Sequence, residues 1–289
     1  SRSILNLQYS FKVALILISI FHIENIFCKY IDDGQKKENR KKKVEDKKSN
    51  LELGAGLFSF KIPHYRGSDQ MKNYFIPMPF FIYTSKHIEA EPSFIRGTFF
   101  KKGSIALKLS ILAGLSVESE TNRAREGMPD LGFTLEAGPM ILVRLWTSPD
   151  KMHYINFESP FRYVFELDIP PQGVGLFTVP YLNFVNLPRK ETWNWGIEFS
   201  IALQFADESY HNHYYAVGPD YVRPGRPQYT SKGGYNGHSF VLIFTRRFKH
   251  LYLMPFLRYD SLRGVVFEDS PLVKKKDYFI VGMGSFWMF

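Results

Sequence analysis

The stretch "YFIVGMGSFWMF", residues 278–289, alternates with the period of two that is typical of a β-strand. One face carries mainly bulky apolar side chains and ends in Trp287 and Phe289, whereas the other sets Gly282 and Gly284 between large apolar groups. A half-exposed strand of a soluble sheet alternates apolar with polar residues, and neither face is properly polar here. The pattern predicts a strand with one face in an oily environment and the other in a crowded interior.

Long alternating segments recur throughout the chain after residue 50. Four of them set large apolar side chains against small or charged ones, at 104–115, 131–145, 157–168 and 193–206. About 10 residues cross a bilayer as a tilted strand, whereas strands of globular proteins average about 5–6 residues. A water-soluble sandwich would show the same alternation, but we expect its strands to be shorter.

Aromatic residues lie near the ends of these segments. They are Trp146, Trp193, Trp195, Tyr259 and Trp287. Aromatic girdles at both interfaces are a mark of outer-membrane barrels, and closure of the sheet satisfies every backbone group in lipid. The sequence therefore predicts an all-β fold, a transmembrane antiparallel β-barrel.

The alternation divides the chain into about twelve strands, with ten as the competing count. The predicted strands are 51–62, 74–84, 87–98, 103–116, 129–145, 151–167, 172–187, 193–207, 209–218, 236–248, 251–262 and 276–289. An even number brings both ends of the barrel to the periplasmic side. If the first strand runs outward, loops 63–73, 219–235 and 263–275 are extracellular, and 117–128 is an unusually long periplasmic turn.

The last predicted strand has two expected roles. Its end, with Trp287 and the final Phe289, looks like the sorting signal that the bacterial barrel-insertion machinery reads. We also expect this strand to close the barrel against the first one.

Charged residues alternate with apolar ones on the face that would line the lumen. They are Lys108, Glu136, Arg144, Arg162, Glu166, Glu198, Arg258 and Asp260. Charges of opposite sign can line a polar path for solutes. Alternatively, they pair with one another and plug a narrow barrel, which the mixture of signs favours.

Residues 1–28 resemble an export signal. Arg2 and Lys12 precede the apolar run "VALILISIF", residues 13–21, which is too short to cross a bilayer as a helix. No small-x-small cleavage site follows. An ordinary buried or uncleaved apolar segment is the alternative.

Residues 29–50 are rich in lysine and are predicted to be a disordered periplasmic tether. Residues 1–50 hold 11 Lys or Arg against 6 Asp or Glu, while the remaining residues hold 26 against 22. Because basicity is concentrated at the front, no nucleic-acid partner is expected. The tether is a plain solvated spacer, a binder of anionic headgroups or cell-wall polymer, or a docking segment for a periplasmic partner.

The sequence contains few residues in patterns that would support catalysis or metal binding. Cys28 is the single cysteine, so disulfides and cysteine metal clusters are excluded. On a strand, His211 and His213 would point to the same side as a possible metal pair, but only Glu208 lies near enough in sequence to add a ligand. No nucleophile motif appears. We expect no catalytic residue, no metal and no cofactor.

Two loop motifs have alternative interpretations. The first comprises Tyr65, Arg66, Gly67, Ser68 and Asp69, in which Arg66 and Asp69 could hold a ligand. The second comprises Asp269, Ser270 and Pro271. The favoured interpretation of both is structural, because Gly, Ser and Asp dominate tight turns through their backbone freedom and local hydrogen bonds.

Three segments resemble the MipA/OmpV family of outer-membrane proteins and occur in the family's order. They are "LGAGLFSFKIPHYRGSDQMKNYFIPMPFFIY" (53–83), "ADESYHNHYYAVGPDY" (206–221) and "FEDSPLVKKKDYFIVGMGSFWMF" (267–289). The resemblance covers roughly residues 51–289. The tether is not a feature of the family, and His211 stands where a tyrosine is usual.

The resemblance implies a function that the residues alone do not indicate. It implies a non-enzymatic scaffold that links a lytic transglycosylase to a penicillin-binding protein at the outer membrane. It also implies contact with outer-membrane lipid and lipopolysaccharide. A surface adhesin and a narrow pore for small solutes are the alternatives.

Overall fold

The computed structural model describes residues 50–84, 88–91, 94–167, 170–187 and 195–289. The predicted export signal (1–28) and all but the last residue of the predicted tether (29–50) lie outside the described residues.

The described chain is built almost entirely of β-strands. They are β1 (Asn50–Pro63), β2 (Met71–Thr84), β3 (Ile88–Glu91), β4 (Phe94–Lys102), β5 (Ile105–Gly114), β6 (Thr134–Thr147), β7 (His153–Glu166), β8 (Gln172–Thr178), β9 (Tyr181–Asn186), β10 (Gly196–Ala206), β11 (Gly234–Phe248), β12 (Leu251–Ser261) and β13 (Asp277–Met288). One α-helix, α1 (Glu208–Tyr215), follows β10. Short 3-10 turns lie at Ser119–Thr121 and Pro219–Tyr221. Among the described residues, no helix is both long and apolar enough to cross a membrane.

The strands form one antiparallel sheet whose pairing returns to its starting strand. β8 and β9 lie end to end between β7 and β10, so the described strands occupy twelve positions. β10 pairs with β11, and β13 pairs with β1 from Gly54↔Met288 to Lys61↔Val281. The predicted pairing of the last strand with the first and the predicted count of twelve are both confirmed.

The count is correct although two of the predicted strands are not. The predicted strand 87–98 contains two strands, β3 and the start of β4, which form a hairpin. The predicted strand 209–218 is instead the helix α1, which begins after Asp207. The side chain of Asp207 accepts a hydrogen bond from the backbone N–H of Tyr210, as a helix N-cap does. The two errors cancel.

The extra hairpin reverses the predicted direction of the strands between β4 and β10. Loop 115–133 therefore lies at the same end of the barrel as loops 64–70, 207–233 and 262–276. The prediction that 117–128 is a turn at the opposite end is wrong. We call the end with these four loops the loop end, and the end with turns 148–152 and 249–250 the turn end.

The outward face of the wall is apolar. In β10, Phe199 and Ile201 point outward and are more than a third exposed, while the alternate residues Ser200 and Ala202 are buried in the lumen. The exposed apolar side chains elsewhere on the strands include Leu57, Phe75, Leu107, Ile141, Phe161, Leu176, Leu182, Leu257 and Val281. Such a continuous surface is unusual for a soluble monomer and is the mark of a lipid-facing wall.

Aromatic side chains lie at both ends of the wall, as predicted. Trp146 and Trp195 are at the turn end, and the Trp195 ring contacts that of Phe244 edge-on. Tyr259 is at the loop end and contacts Phe279. Trp193 lies outside the described residues.

The position of the last strand in the barrel explains its alternation of large apolar residues and glycines. Trp287 and Phe289 point outward at the turn end, and the Phe289 N–H donates to Leu53 O on β1. On the lumen face, a Cβ on Gly282 would overlap the ring of Phe256, and one on Gly284 would lie 2.9 Å from the ring of Phe58. The two glycines therefore make room for aromatic rings that fill the lumen.

One side of the lumen is a hydrophobic core. Phe58 stacks on Phe256 with ring centroids 5.9 Å apart, and Phe60 stacks on Tyr74 at 5.2 Å. Other buried members of the cluster are Ile76, Val241, Ile243, Tyr252, Met254, Tyr278, Ile280, Phe286 and Met288. Many of the buried polar residues of the lumen lie on β6, β7, β9 and β10, whereas Arg258 and Asp260 lie on β12 beside this core.

Candidate functional site

The polar wall of the lumen is built by β6, β7, β9 and β10. Glu158 accepts hydrogen bonds from the Tyr181 hydroxyl at 2.7 Å and from Asn156 at 3.0 Å. Glu198 accepts one from Asn183 at 2.7 Å. Each is at most 1% exposed, so these carboxylates are held by neighbouring side chains and not by bulk water.

Arg162 is the largest fully buried side chain of the described protein. Its Nε lies 3.0 Å from Glu136 Oε2, and its Nη1 donates to Ser110 Oγ at 3.1 Å. The guanidinium also lies 5.8 Å from the ring centroid of Phe177. The ion pair thus joins β6 and β7 across the lumen face, with β5 providing the serine.

A second ion group lies near the loop end of the lumen. Arg258 Nη2 donates to Asp260 Oδ1 at 2.8 Å on the same strand. Arg66 comes from the loop between β1 and β2, and its Nη2 lies 3.6 Å from Asp260 Oδ1. Arg66 also donates to Asn236 O at 2.9 Å. A residue predicted as part of a loop motif therefore reaches the lumen network.

The other predicted lumen charges lie outside these two ion groups. Arg144 lies over the ring of Tyr154, 3.7 Å from its centroid, and Lys108 is half-buried on β5. Glu166 accepts from the backbone N–H of Gly132 at the loop end.

In an open pore, lumen charges would be exposed to water. The described lumen charges that lie deepest are instead buried, with Arg162, Glu158, Glu198 and Asp260 at most 1% exposed. Burying ions costs free energy unless they are paired or hydrogen-bonded. Arg162 and Asp260 are in ion pairs, and Glu158 and Glu198 accept hydrogen bonds from Tyr and Asn side chains. The geometry favours a filled lumen over an open path.

The loop end is covered by what we call the loop cap, formed by loops 64–70, 115–133, 207–233 and 262–276. Its buried apolar residues are Tyr65, Val117, Ala124, Leu131, Tyr215, Val217, Leu262, Val265, Phe267 and Leu272. The rings of Tyr215 and Phe267 stack with centroids 3.7 Å apart. Since all four loops contribute, the loop cap is a packed unit.

The first loop motif ties its loop to others of the loop cap. The Tyr65 hydroxyl donates to Leu272 O at 2.6 Å, and Arg66 O accepts from the Tyr215 hydroxyl at 3.0 Å. Ser68 Oγ accepts from Asn122 at 3.0 Å.

Gly67 has a φ of +97°, which favours glycine, and its carbonyl accepts from two backbone N–H groups of loop 262–276. Asp69 lies at the surface and pairs with Arg123 at 2.9 Å.

The second loop motif has one buried member. Ser270 Oγ donates to Tyr215 O at 2.7 Å, whereas Asp269 is exposed and Pro271 is half-buried. Ser270 also accepts from the backbone N–H of Leu272, so its hydroxyl orders the turn as well as joining two loops.

The two histidines predicted as a strand pair lie on α1 and face different neighbours. His211 is fully buried, and its Nδ1 lies 2.7 Å from Lys232 O. His213 Nδ1 lies 3.9 Å from Glu166 Oε2, too far for a hydrogen bond. In the described part of the chain, no three potential metal ligands come together.

Two buried arginines of the loop cap were not singled out from the sequence. Arg125 donates to Ser119 Oγ, Tyr214 O and Pro129 O. Arg226 donates to three backbone carbonyls, which include Ala124 O at 3.0 Å. Loop arginines are usually solvated, and nothing in "RAREGM" or "VRPGRP" marks these two as buried.

Replacing Arg125 by methionine is expected to loosen the loop cap without opening the barrel. The change removes a donor from Ser119 Oγ, Tyr214 O and Pro129 O, and among the described residues only Pro129 O keeps another donor, the Ser119 hydroxyl. Each acceptor left unpaired costs about 1–3 kcal/mol at most. Limited proteolysis should cut loop 115–133 at least about tenfold faster, since 1.4 kcal/mol is a factor of ten in local opening. The folded barrel should keep its heat-modifiable gel mobility. Unchanged proteolysis would contradict the assigned role.

Acid is expected to destabilise the loop cap through His213. Burial, and next the positive charge of Arg125, lower the pKa of His213 to about 4. The unfolded state, with a pKa near 6.5, therefore binds more protons than the folded state between these values, so stability falls as pH falls through this window.

We expect a loss of about 2 kcal/mol between pH 6.5 and 4.5, measured by urea unfolding at each pH. His213→Asn should flatten the profile in part, because burial also lowers the pKa of His211. An identical pH profile for the wild type and the variant would refute the assignment.

Comparison with known protein families places the barrel in a family. A family model described as MltA-interacting protein MipA matches residues 53–289, which is nearly the whole of the described barrel. No curated protein matches the chain. The matched range holds the closed sheet, the lumen network and the loop cap together. Such a match, with the all-β fold expected of an outer-membrane protein, shows that the chain belongs to the MipA family of MltA-interacting proteins.

Proposed function

We propose that this protein is an outer-membrane barrel that acts as a scaffold for enzymes of murein growth, without chemistry of its own. The observation that carries the proposal is the filled lumen. The deepest lumen ions are buried in ion pairs or hydrogen bonds, and the loop cap covers one end. A barrel filled in this way offers surfaces for binding and not a route for solutes.

The family description supports the choice of partner. The family is named for interaction with MltA, and the resemblance noted above relates that interaction to a lytic transglycosylase and a penicillin-binding protein. We propose that strands β1 to β13 lie in the outer membrane, with the turn end and the tether (29–50) in the periplasm. Outer-membrane lipid, lipopolysaccharide and the insertion machinery are the other proposed partners.

The charge of the turn end supports its role as the docking face. The turns and adjoining strand ends carry Lys101, Lys102, Lys151, Arg247 and Lys249, against the carboxylates Glu89, Glu91 and Asp150 at the same end. Together with the lysine-rich tether, they would give the periplasmic face a positive potential that attracts acidic proteins and cell-wall polymer.

Crosslinking in intact cells tests the scaffold. The full chain and a variant that lacks residues 29–50 are crosslinked mildly, purified and analysed by mass spectrometry. We expect murein synthases and lytic enzymes with the full chain and a strong reduction without the tether. A Lys101→Gln, Lys102→Gln variant tests the turn end, with Lys275→Gln in the loop cap as the matched control. Recovery of only other barrels and lipopolysaccharide would overturn the scaffold.

A further inference from the structure

The loop cap contains a cavity of about 330 Å³ that opens to the surface. It lies where the loops of the cap meet, and it is lined by Asp69, Arg123, Ala124, Arg223, Pro224, Gly225, Arg226 and Lys274. All of its charged lining residues except Asp69 are cations.

The charges of the cavity do not balance. Arg123 pairs with Asp69 at 2.9 Å, and Arg223 pairs with Glu126 at 3.1 Å. The four cations of the lining thus have two carboxylates as partners. The Lys274 ammonium has no ion-pair partner among the described residues, so the cavity keeps a net positive charge of about two.

Arg226 is the fixed part of the cavity. Its side chain is buried, with the residue 5% exposed, and Nε and Nη1 donate to the carbonyls of Tyr221, Ala124 and Glu126 at 2.8–3.0 Å. Its Nη2 donates to nothing in the part of the chain that the structure describes. Arg226 lines the cavity, and a guanidinium held by three carbonyls with one nitrogen still able to donate is preorganised to bind an oxyanion.

The neighbouring positive charges of Arg223 and Arg226 also favour an anion in the cavity. Burial, and next the positive charge of Arg223, lower the pKa of Arg226. An anion between the two guanidiniums would relieve their repulsion.

We propose that this cavity binds a phosphate group, either as the free ion or carried by a saccharide such as that of lipopolysaccharide. A phosphate monoester carries about −1.5 to −2 charges at pH 7. This charge matches the net positive charge of the cavity better than that of a single carboxylate does. Charge-assisted hydrogen bonds from arginine to phosphate oxygens are strong, and lysine adds a point charge. The proposal stands independently of the murein scaffold, because it concerns the opposite end of the barrel.

Calorimetric titration of the full chain, refolded in a zwitterionic detergent, tests the cavity. The probes are inorganic phosphate, lipopolysaccharide, and the same lipopolysaccharide after enzymatic dephosphorylation. The test variant is Arg123→Gln with Lys274→Gln, two exposed side chains whose loss leaves the buried hydrogen bonds of Arg226 intact. The matched control is Lys275→Gln, an exposed neighbour that does not line the cavity.

We expect the double variant to lose roughly tenfold or more in affinity for the phosphate-bearing probe, because two charge-assisted contacts are removed. The Lys275 control should keep its affinity, and added NaCl should weaken binding of the wild type. Saturable binding of inorganic phosphate would indicate the free ion. Binding of lipopolysaccharide that is lost on dephosphorylation would indicate the saccharide-borne group.

Absence of saturable binding to any phosphate-bearing probe would overturn the proposal. Equal affinity of the wild type and the double variant would also overturn it. Retained heat-modifiable mobility of the double variant would show that its barrel is folded, so that lost binding reports on the cavity.

Discussion

Replacing Arg162 by methionine is expected to destabilise the barrel by about 3–5 kcal/mol, because it leaves the buried Oε2 of Glu136 without its cation. The pair is joined at 3.0 Å, and Arg162 is 1% exposed. Urea unfolding in phospholipid vesicles, followed by heat-modifiable gel mobility, measures the change.

Two controls separate the effect of the unpaired charge from that of simply replacing an arginine. Arg162→Met with Glu136→Gln should recover part of the loss, since the second change removes the unpaired charge. Arg263→Met removes an exposed arginine that pairs with Asp277 at 2.6 Å and should cost less than about 1 kcal/mol. A loss below 1 kcal/mol for Arg162→Met would mean that the lumen admits enough water to solvate Glu136, against the filled lumen.

Placing arginine in the middle of the outward face is expected to cost about 2–4 kcal/mol. Ile201 is a suitable position, because it lies near the middle of β10 and is 41% exposed on the apolar face. In lipid, Ile201→Arg must take a charge to the bilayer interior. Folding yield into vesicles and urea unfolding measure the loss.

The matched control is Val222→Arg in the loop cap, where the valine is 49% exposed but lies outside the strands. We expect it to change stability by less than about 0.5 kcal/mol, as surface substitutions usually do. If Ile201→Arg were as harmless as Val222→Arg, the outward face would be in water, and the barrel would not lie in a membrane.

The fold was predictable because its main signal is local. A period of two over more than ten residues indicates a long strand wherever it occurs, and Gly282 with Gly284 indicated a crowded lumen face. The pattern fails for short elements. Nothing in "HIEAEPSFIRG" distinguishes one strand from the hairpin of β3 and β4, except Pro92 with Ser93, which punctuate a turn.

The helix α1 carried a signal that the strand prediction passed over. Asp207 followed by Glu208 is an acidic N-cap and first turn, which favours a helix start. The aromatic residues after it, Tyr210, Tyr214 and Tyr215, have high β-propensity. In the helix, Tyr210 stacks on Phe177 and Tyr215 on Phe267, contacts with distant segments that local propensity does not include.

The candidate site was predictable in its members but not in its pairings. Alternation placed Arg162 and Glu136 on the lumen face, but their contact depends on the register of β6 against β7. The contacts of the loop cap were even harder to predict from the sequence. The hydrogen bond from Tyr65 to Leu272 joins residues 207 positions apart, and the one from Arg226 to Ala124 joins residues 102 apart. No local pattern encodes such contacts.

Single-channel recording in planar lipid bilayers tests the central claim, a sealed barrel that acts through its surfaces. The full chain is reconstituted into vesicles, its insertion is verified by heat-modifiable mobility, and the vesicles are fused with the bilayer. The filled lumen and the loop cap predict no steady conductance steps above the empty bilayer. Uniform, long-lived steps from the inserted protein would contradict the account and assign the barrel a pore.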